Sequence, residues 1–164
     1  VSGRQRVPSL LFWTSLALAL LLAVVSLPEA IRPLKPFFLA LVVIYWALET
    51  PERMGIGLAF CLGLAGDLVH GNLLGEQAMR LAIIAFIVLR IRPRMRFFPM
   101  LQQSLAVLAL LLNDRVVTLG LRAFAGEPMP GWTFWLAPVA GAVLWPWLFL
   151  LFDVVRARAR LRDA

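Results

Sequence analysis

Residues 132–152 read WTFWLAPVAGAVLWPWLFLLF, from Trp132 to Phe152, without one charged side chain. At 1.5 Å rise per residue, a helix of that length covers about 30 Å, the thickness of a bilayer's hydrocarbon core. Further apolar runs precede it: Leu10–Leu27, Phe37–Glu49, Met54–Val69, Gln77–Ile91 and Pro99–Leu121, with short polar stretches between them. Of the 164 residues, 62% are hydrophobic and 15% charged. Mean hydropathy is +0.86. So small a domain lacks the charged surface that would keep it dissolved. The expected fold is an all-α integral membrane protein, a bundle of about six transmembrane helices in a single domain over residues 1–164.

Spans one, five and six approach the length of a perpendicular crossing. Phe37–Glu49 covers only about 20 Å, and is expected as a broken or half-depth helix shielded by its neighbours. Pro28, Pro33 and Pro36 punctuate the chain before it and Pro51 follows it. Leu10–Leu27 has the length of a signal peptide but no small-x-small cleavage pattern, and is expected as a retained first helix. The longest connection, Arg122–Gly131, reads as a loop. Cys61 is the lone cysteine, which excludes an intrachain disulfide and a cysteine metal site.

Charge sets the expected orientation. Arg4, Arg6, Arg53, the Arg90, Arg92, Arg94 and Arg96 run, and the Arg156, Arg158, Arg160 and Arg162 tail fall on one side if both termini are cytoplasmic. Arg32, Lys35, Arg80 and Arg122 then lie outside, and Arg115 within the membrane. That asymmetry follows the positive-inside rule and favours an even number of spans. The net charge of +7 sits beside the expected membrane ends, so anionic lipids are the expected partner and nucleic acid is not. Trp13 and Trp46 are expected near the cytoplasmic interface, Trp132 and Trp135 near the opposite one.

Gly55, Ala59, Gly63 and Asp67 recur every four residues, so one face of span three is a stripe of small side chains carrying a carboxylate. Asp67 is expected against another helix. There it either pins the turn from Gly71 through Asn72 to Gly75 or serves partner docking or transport. Asp67, Arg80, Asp114 and Arg115 form an expected buried polar cluster, structural or lining a ligand or partner surface. In the last span, Pro146 cannot donate to the carbonyl of Ala142 and is expected to kink the helix. Trp145 and Trp147 flank it; they are expected to shape a partner groove or to pack within the bundle.

Enzymatic chemistry is not expected. His70 is the only histidine, and no nucleophile elbow or phosphate loop is present. No cofactor or metal is expected. Glu49 and Asp153 read as interfacial charges, and the Arg90–Arg96 run as a solvated loop.

Two stretches resemble the rod shape-determining MreD family. One carries Pro51, Gly55, Phe60, Gly63, Leu64, Asp67, Leu68, Gly71, Leu74, Gly75 and Ala78. The other carries Val143, Leu144, Trp145, Pro146, Trp147, Phe149, Leu150 and Leu151 before a basic tail; Gln102 and Gln103 also match. The resemblance implies a non-catalytic inner-membrane component of the bacterial cell-elongation complex, required for rod shape and lateral peptidoglycan synthesis. It implies MreC as principal partner, with MreB, RodZ, RodA and a penicillin-binding transpeptidase in the same complex. It also implies a fold similar to the substrate-binding subunits of energy-coupling-factor transporters, which leaves a small-molecule-binding membrane subunit as the alternative. The family supplies no catalytic residues to carry over.

Overall fold

The structure is a computed structural model describing residues 8–71 and 73–162. Arg4, Arg6 and Asn72 lie outside the described residues. Six α-helices and two short 3₁₀ turns, at Arg32–Leu34 and Trp132–Trp135, make up the described chain, with no strand among them. The helices are α1 (Ser9–Val24), α2 (Phe38–Glu49), α3 (Ile56–His70), α4 (Glu76–Met95), α5 (Met100–Ala125) and α6 (Leu136–Arg162).

α2 is the axis of the bundle. Every residue from Leu39 to Leu48 is buried, as expected of a helix that is apolar on all sides. α1, α4 and α6 wrap it, α3 packs closely on α4, and α5 packs on α6. Buried indoles keep their N–H groups satisfied. Trp46 Nε1 donates to Ser15 Oγ at 2.8 Å, and Trp145 Nε1 donates to Gln103 Oε1 at 3.1 Å. Trp46 therefore belongs to the core and not to the interface where the sequence reading put it. Its ring meets Phe12 edge-on at 5.2 Å.

Several helices run beyond or stop short of the apolar runs. α1 ends at Val24, because Val25 is already extended ahead of Pro28. α4 continues through Pro93 to Met95, so most of the expected arginine loop is helical. Two contacts hold that extension: Met95 is fully buried, and Arg92 Nε donates to the Leu48 carbonyl, at the end of α2, at 2.7 Å. α6 continues through Pro146 into the arginine tail as far as Arg162. Length and hydropathy qualify two segments to cross a membrane, Met100–Ala125 and Trp132–Arg162; α1 and α3 are apolar but shorter.

Candidate functional site: a polar cluster at one end of the bundle

The C-terminal ends of α1, α3 and α5 meet the N-terminal ends of α2, α4 and α6, and the expected polar residues gather there. The α3–α4 connection is tight, with Gly71 at φ 66° and Gly75 at φ 101°, both left-handed conformations that suit glycine. Asp67 is buried and spans this turn. Its Oδ2 accepts from the Gly75 amide at 2.8 Å and its Oδ1 from the Gln77 amide at 3.0 Å. The carboxylate thus caps α4 from another helix, where the orphan amides and the helix dipole favour a negative charge.

The small-residue stripe makes this approach possible. A Cβ on Gly63 would land on the backbone of Ala78 and Gln77, and Ala59 is fully buried. Gly55 differs: it caps the start of α3 with open space around it and packs on nothing. Gly66, which the fourfold spacing skips, meets the Gln77 side chain.

Arg80 and Asp114 form a two-pronged ion pair between α4 and α5, Nε to Oδ1 at 2.8 Å and Nη2 to Oδ2 at 2.6 Å. The Arg80 guanidinium also lies over the Phe37 ring at 4.9 Å. Arg115 faces elsewhere, over the Phe134 ring at 4.4 Å, beside Arg122. The four-residue cluster is therefore three arrangements: a capped turn, an ion pair, and a cation on an aromatic ring.

Between them lies a cavity of about 180 Å³ lined by Ala23, Lys35, Pro36, Phe37, Phe38, His70, Gln77, Arg80 and Arg115. Sequence reasoning counted few polar groups at this end and did not bring Lys35, His70 and Gln77 into the cluster, because they sit on different elements. Lys35 Nζ donates to the carbonyls of Ala23 and Val25, the latter at 2.8 Å. Partial burial lowers its pKa from the usual lysine value. Each ring nitrogen of His70 sits on a carbonyl, Nδ1 on Gly66 at 2.8 Å and Nε2 on Ala23 at 3.0 Å.

The expected groove of Trp145, Pro146 and Trp147 divides. Trp145 is 0% exposed and Trp147 72%, because residues two apart point to different sides of a helix. Trp147 joins Val139, Val143, Leu150, Leu151 and Val154 on an exposed apolar stripe of α6.

At the opposite end of the bundle, Arg156 pairs with Glu49 at 2.6 Å, and the Tyr45 hydroxyl donates to Asp153 Oδ1 at 3.0 Å. These contacts tie α2 to α6. No group of three or more His, Cys, Asp or Glu residues is placed to hold a metal ion among the described residues.

The geometry defines a helical bundle built around one buried apolar helix, with its polar side chains used to join helices to one another. The chain belongs to the MreD family: the family model for rod shape-determining protein MreD matches residues 4–155. It is similar to the rod shape-determining protein MreD of Haemophilus influenzae, with 31% identity over 144 residues, covering 88% of this chain and 89% of that relative. No solved structure matches it.

Proposed function

We propose that this chain is a multi-pass protein of the bacterial inner membrane, with both termini cytoplasmic, acting without catalysis as a scaffold of the cell-elongation complex. It holds MreC against its bundle and, through that contact, MreB, RodZ, RodA and a penicillin-binding transpeptidase. Membership of a rod shape-determining family over residues 4–155 carries this reading. The use of the buried polar groups supports it, since Asp67, Arg80 and Asp114 are consumed in helix-to-helix contacts. The partner surface is the exposed stripe of α6 around Trp147, because helices in lipid associate by close packing on a shaped face. Depletion in a rod-shaped host rounds the cells. Trp147→Ala inserts normally and rescues shape poorly, with reduced copurification of MreC. Undiminished MreC capture by that variant would move the partner site off α6.

One observation favours a second reading, a small-molecule-binding membrane subunit of the vitamin-transporter kind: the polar-lined cavity beside Lys35 and Arg115. Equilibrium binding of vitamins to the purified protein decides it; no saturable binding removes this alternative.

A further inference from the structure

A second cavity, of about 380 Å³, lies beside the first and is lined by Arg32, Pro33, Lys35, Arg115, Arg122, Pro130, Thr133, Phe134 and Ala137. The two share Lys35 and Arg115. Arg32, Lys35, Arg80, Arg115 and Arg122 line one or the other, and no acidic residue lines either. Such a concentration of like charge is unfavourable in a partly desolvated site unless something answers it. The nearby carboxylates are already engaged: Asp114 by Arg80, Asp67 by two amides, and Glu127 by Arg122 at 3.9 Å. Among the described residues, Arg32, Lys35 and Arg115 have no carboxylate within ion-pair distance.

The aromatic rings add direction. Arg115 lies over Phe134, a contact that uses none of its N–H donors in hydrogen bonds and leaves them for an acceptor. Lys35 is held by the carbonyls that end α1, and an ammonium has three donors, so one remains for a ligand. α2, which opens beside the first cavity, has no side-chain cap on its first amides, and these add a positive dipole end. The first cavity alone has room for about six waters at liquid density, enough for a phosphate group.

We propose that these joined cavities bind a phosphate-bearing anion, with Lys35 and Arg115 as its principal contacts and Arg32 at the rim. The phosphate belongs either to a membrane phospholipid headgroup or to a soluble phosphate compound, and both offer the same oxygens to the same donors. The site lies at the end of the bundle opposite the arginine-rich tail and is independent of the α6 stripe.

The test uses the full chain in phosphatidylcholine nanodiscs. In one arm, inorganic phosphate and pyrophosphate are titrated calorimetrically. In the other, phosphatidylglycerol is added and retained lipid is counted by native mass spectrometry. The variants are Arg115→Gln, Arg32→Gln and, as a charge control at the far end, Arg158→Gln, each checked for an unchanged unfolding midpoint. Arg115→Gln is expected to weaken binding about tenfold, in keeping with loss of a hydrogen bond between charged groups, and Arg32→Gln less. Arg158→Gln leaves binding of the soluble anions unchanged, and in the lipid arm it removes only phosphatidylglycerol held by the arginine-rich tail, so its loss adds to that of Arg115→Gln in the double variant. Binding of phosphatidylglycerol alone supports the site with a lipid as source; binding of the soluble anions alone supports it with a soluble source. If neither binds, if Arg115→Gln binds as the parent does, if Arg158→Gln weakens soluble-anion binding as much as Arg115→Gln does, or if the double variant retains as much phosphatidylglycerol as Arg158→Gln alone, the proposal is wrong. Should Arg115→Gln unfold, the same comparison rests on Arg32→Gln, whose exposed side chain carries no ion pair in the fold.

Discussion

Single residues in this protein act mostly as fasteners, and the Arg80–Asp114 pair shows how much one fastener can matter. Both side chains are largely withdrawn from solvent, with Arg80 11% exposed and Asp114 2%. Removing Arg80 leaves Asp114 as an uncompensated buried charge, at a cost of about 3–5 kcal/mol, whereas removing Asp114 leaves Arg80 with only the longer contact to Glu76 at 3.8 Å. Asp114→Leu is therefore expected to lower thermal stability in detergent sharply. Replacing both, with Arg80→Met and Asp114→Leu together, restores much of it. Additive losses in that double-mutant cycle would mean that the pair is not coupled. Trp145 and Trp147 make a second contrast. Trp145→Ala empties a fully buried site and removes the donor to Gln103 Oε1, at a cost of about 3–5 kcal/mol. Trp147→Ala changes stability by no more than about 0.5 kcal/mol. Unfolding midpoints of the two variants check this directly.

At the scale of elements, the contact between α3 and α4 depends on Gly63, where the backbones come too close to admit a side chain. Gly63→Leu is expected to push the helices apart and to cost about 1–3 kcal/mol or more, as overpacked cores do. Disulfide trapping between cysteines placed on α3 and α4, or loss of shape rescue, would register the separation. The fourfold spacing of Ala59, Gly63 and Asp67 makes this face legible in the sequence, since helical period predicts which residues share a face. The same spacing misled at Gly55, which lies just outside the helix and so no longer belongs to its periodicity. The joined cavities were not legible. Lys35, His70, Gln77 and Arg115 come from different elements, and period within one helix carries no information about convergence between helices. The Glu49–Arg156 pair, 107 positions apart, escaped for the same reason. Hydropathy likewise ended α4 at Ile91, because it scores Arg92 and Pro93 as breakers; tertiary contacts by Arg92 and Met95 override that local preference.

For the whole molecule, the two ends differ in chemistry. One has the adjoining cationic cavities, and the other has the ion pairs of Arg156 and the hydroxyl of Tyr45. The number and direction of spans are the proposal most open to direct test. Alkaline phosphatase fused after residue 164 is expected to be inactive, and fused within residues 122–131 to be active. Active enzyme at the C-terminus would reverse the topology. The arrangement of apolar runs made six helices readable from sequence, because each run is long enough to need burial and is bounded by proline, glycine or charge.

The enclosure of α2 has a consequence for how the chain is made. A twelve-residue helix of about 18 Å is too short to span a bilayer by itself, and its ends would leave backbone groups in hydrocarbon. Because α1, α4 and α6 surround it, its final environment is protein and its length is free of the membrane's thickness. Yet α4 and α6 emerge from the ribosome only after α2 does. If the chain crosses the membrane as proposed, the nascent segment waits, beside α1 or inside the insertion machinery, for companions that are not yet synthesised. Under the proposed multi-pass topology, entry into the membrane is a cooperative event, completed only when the last helix closes around the second.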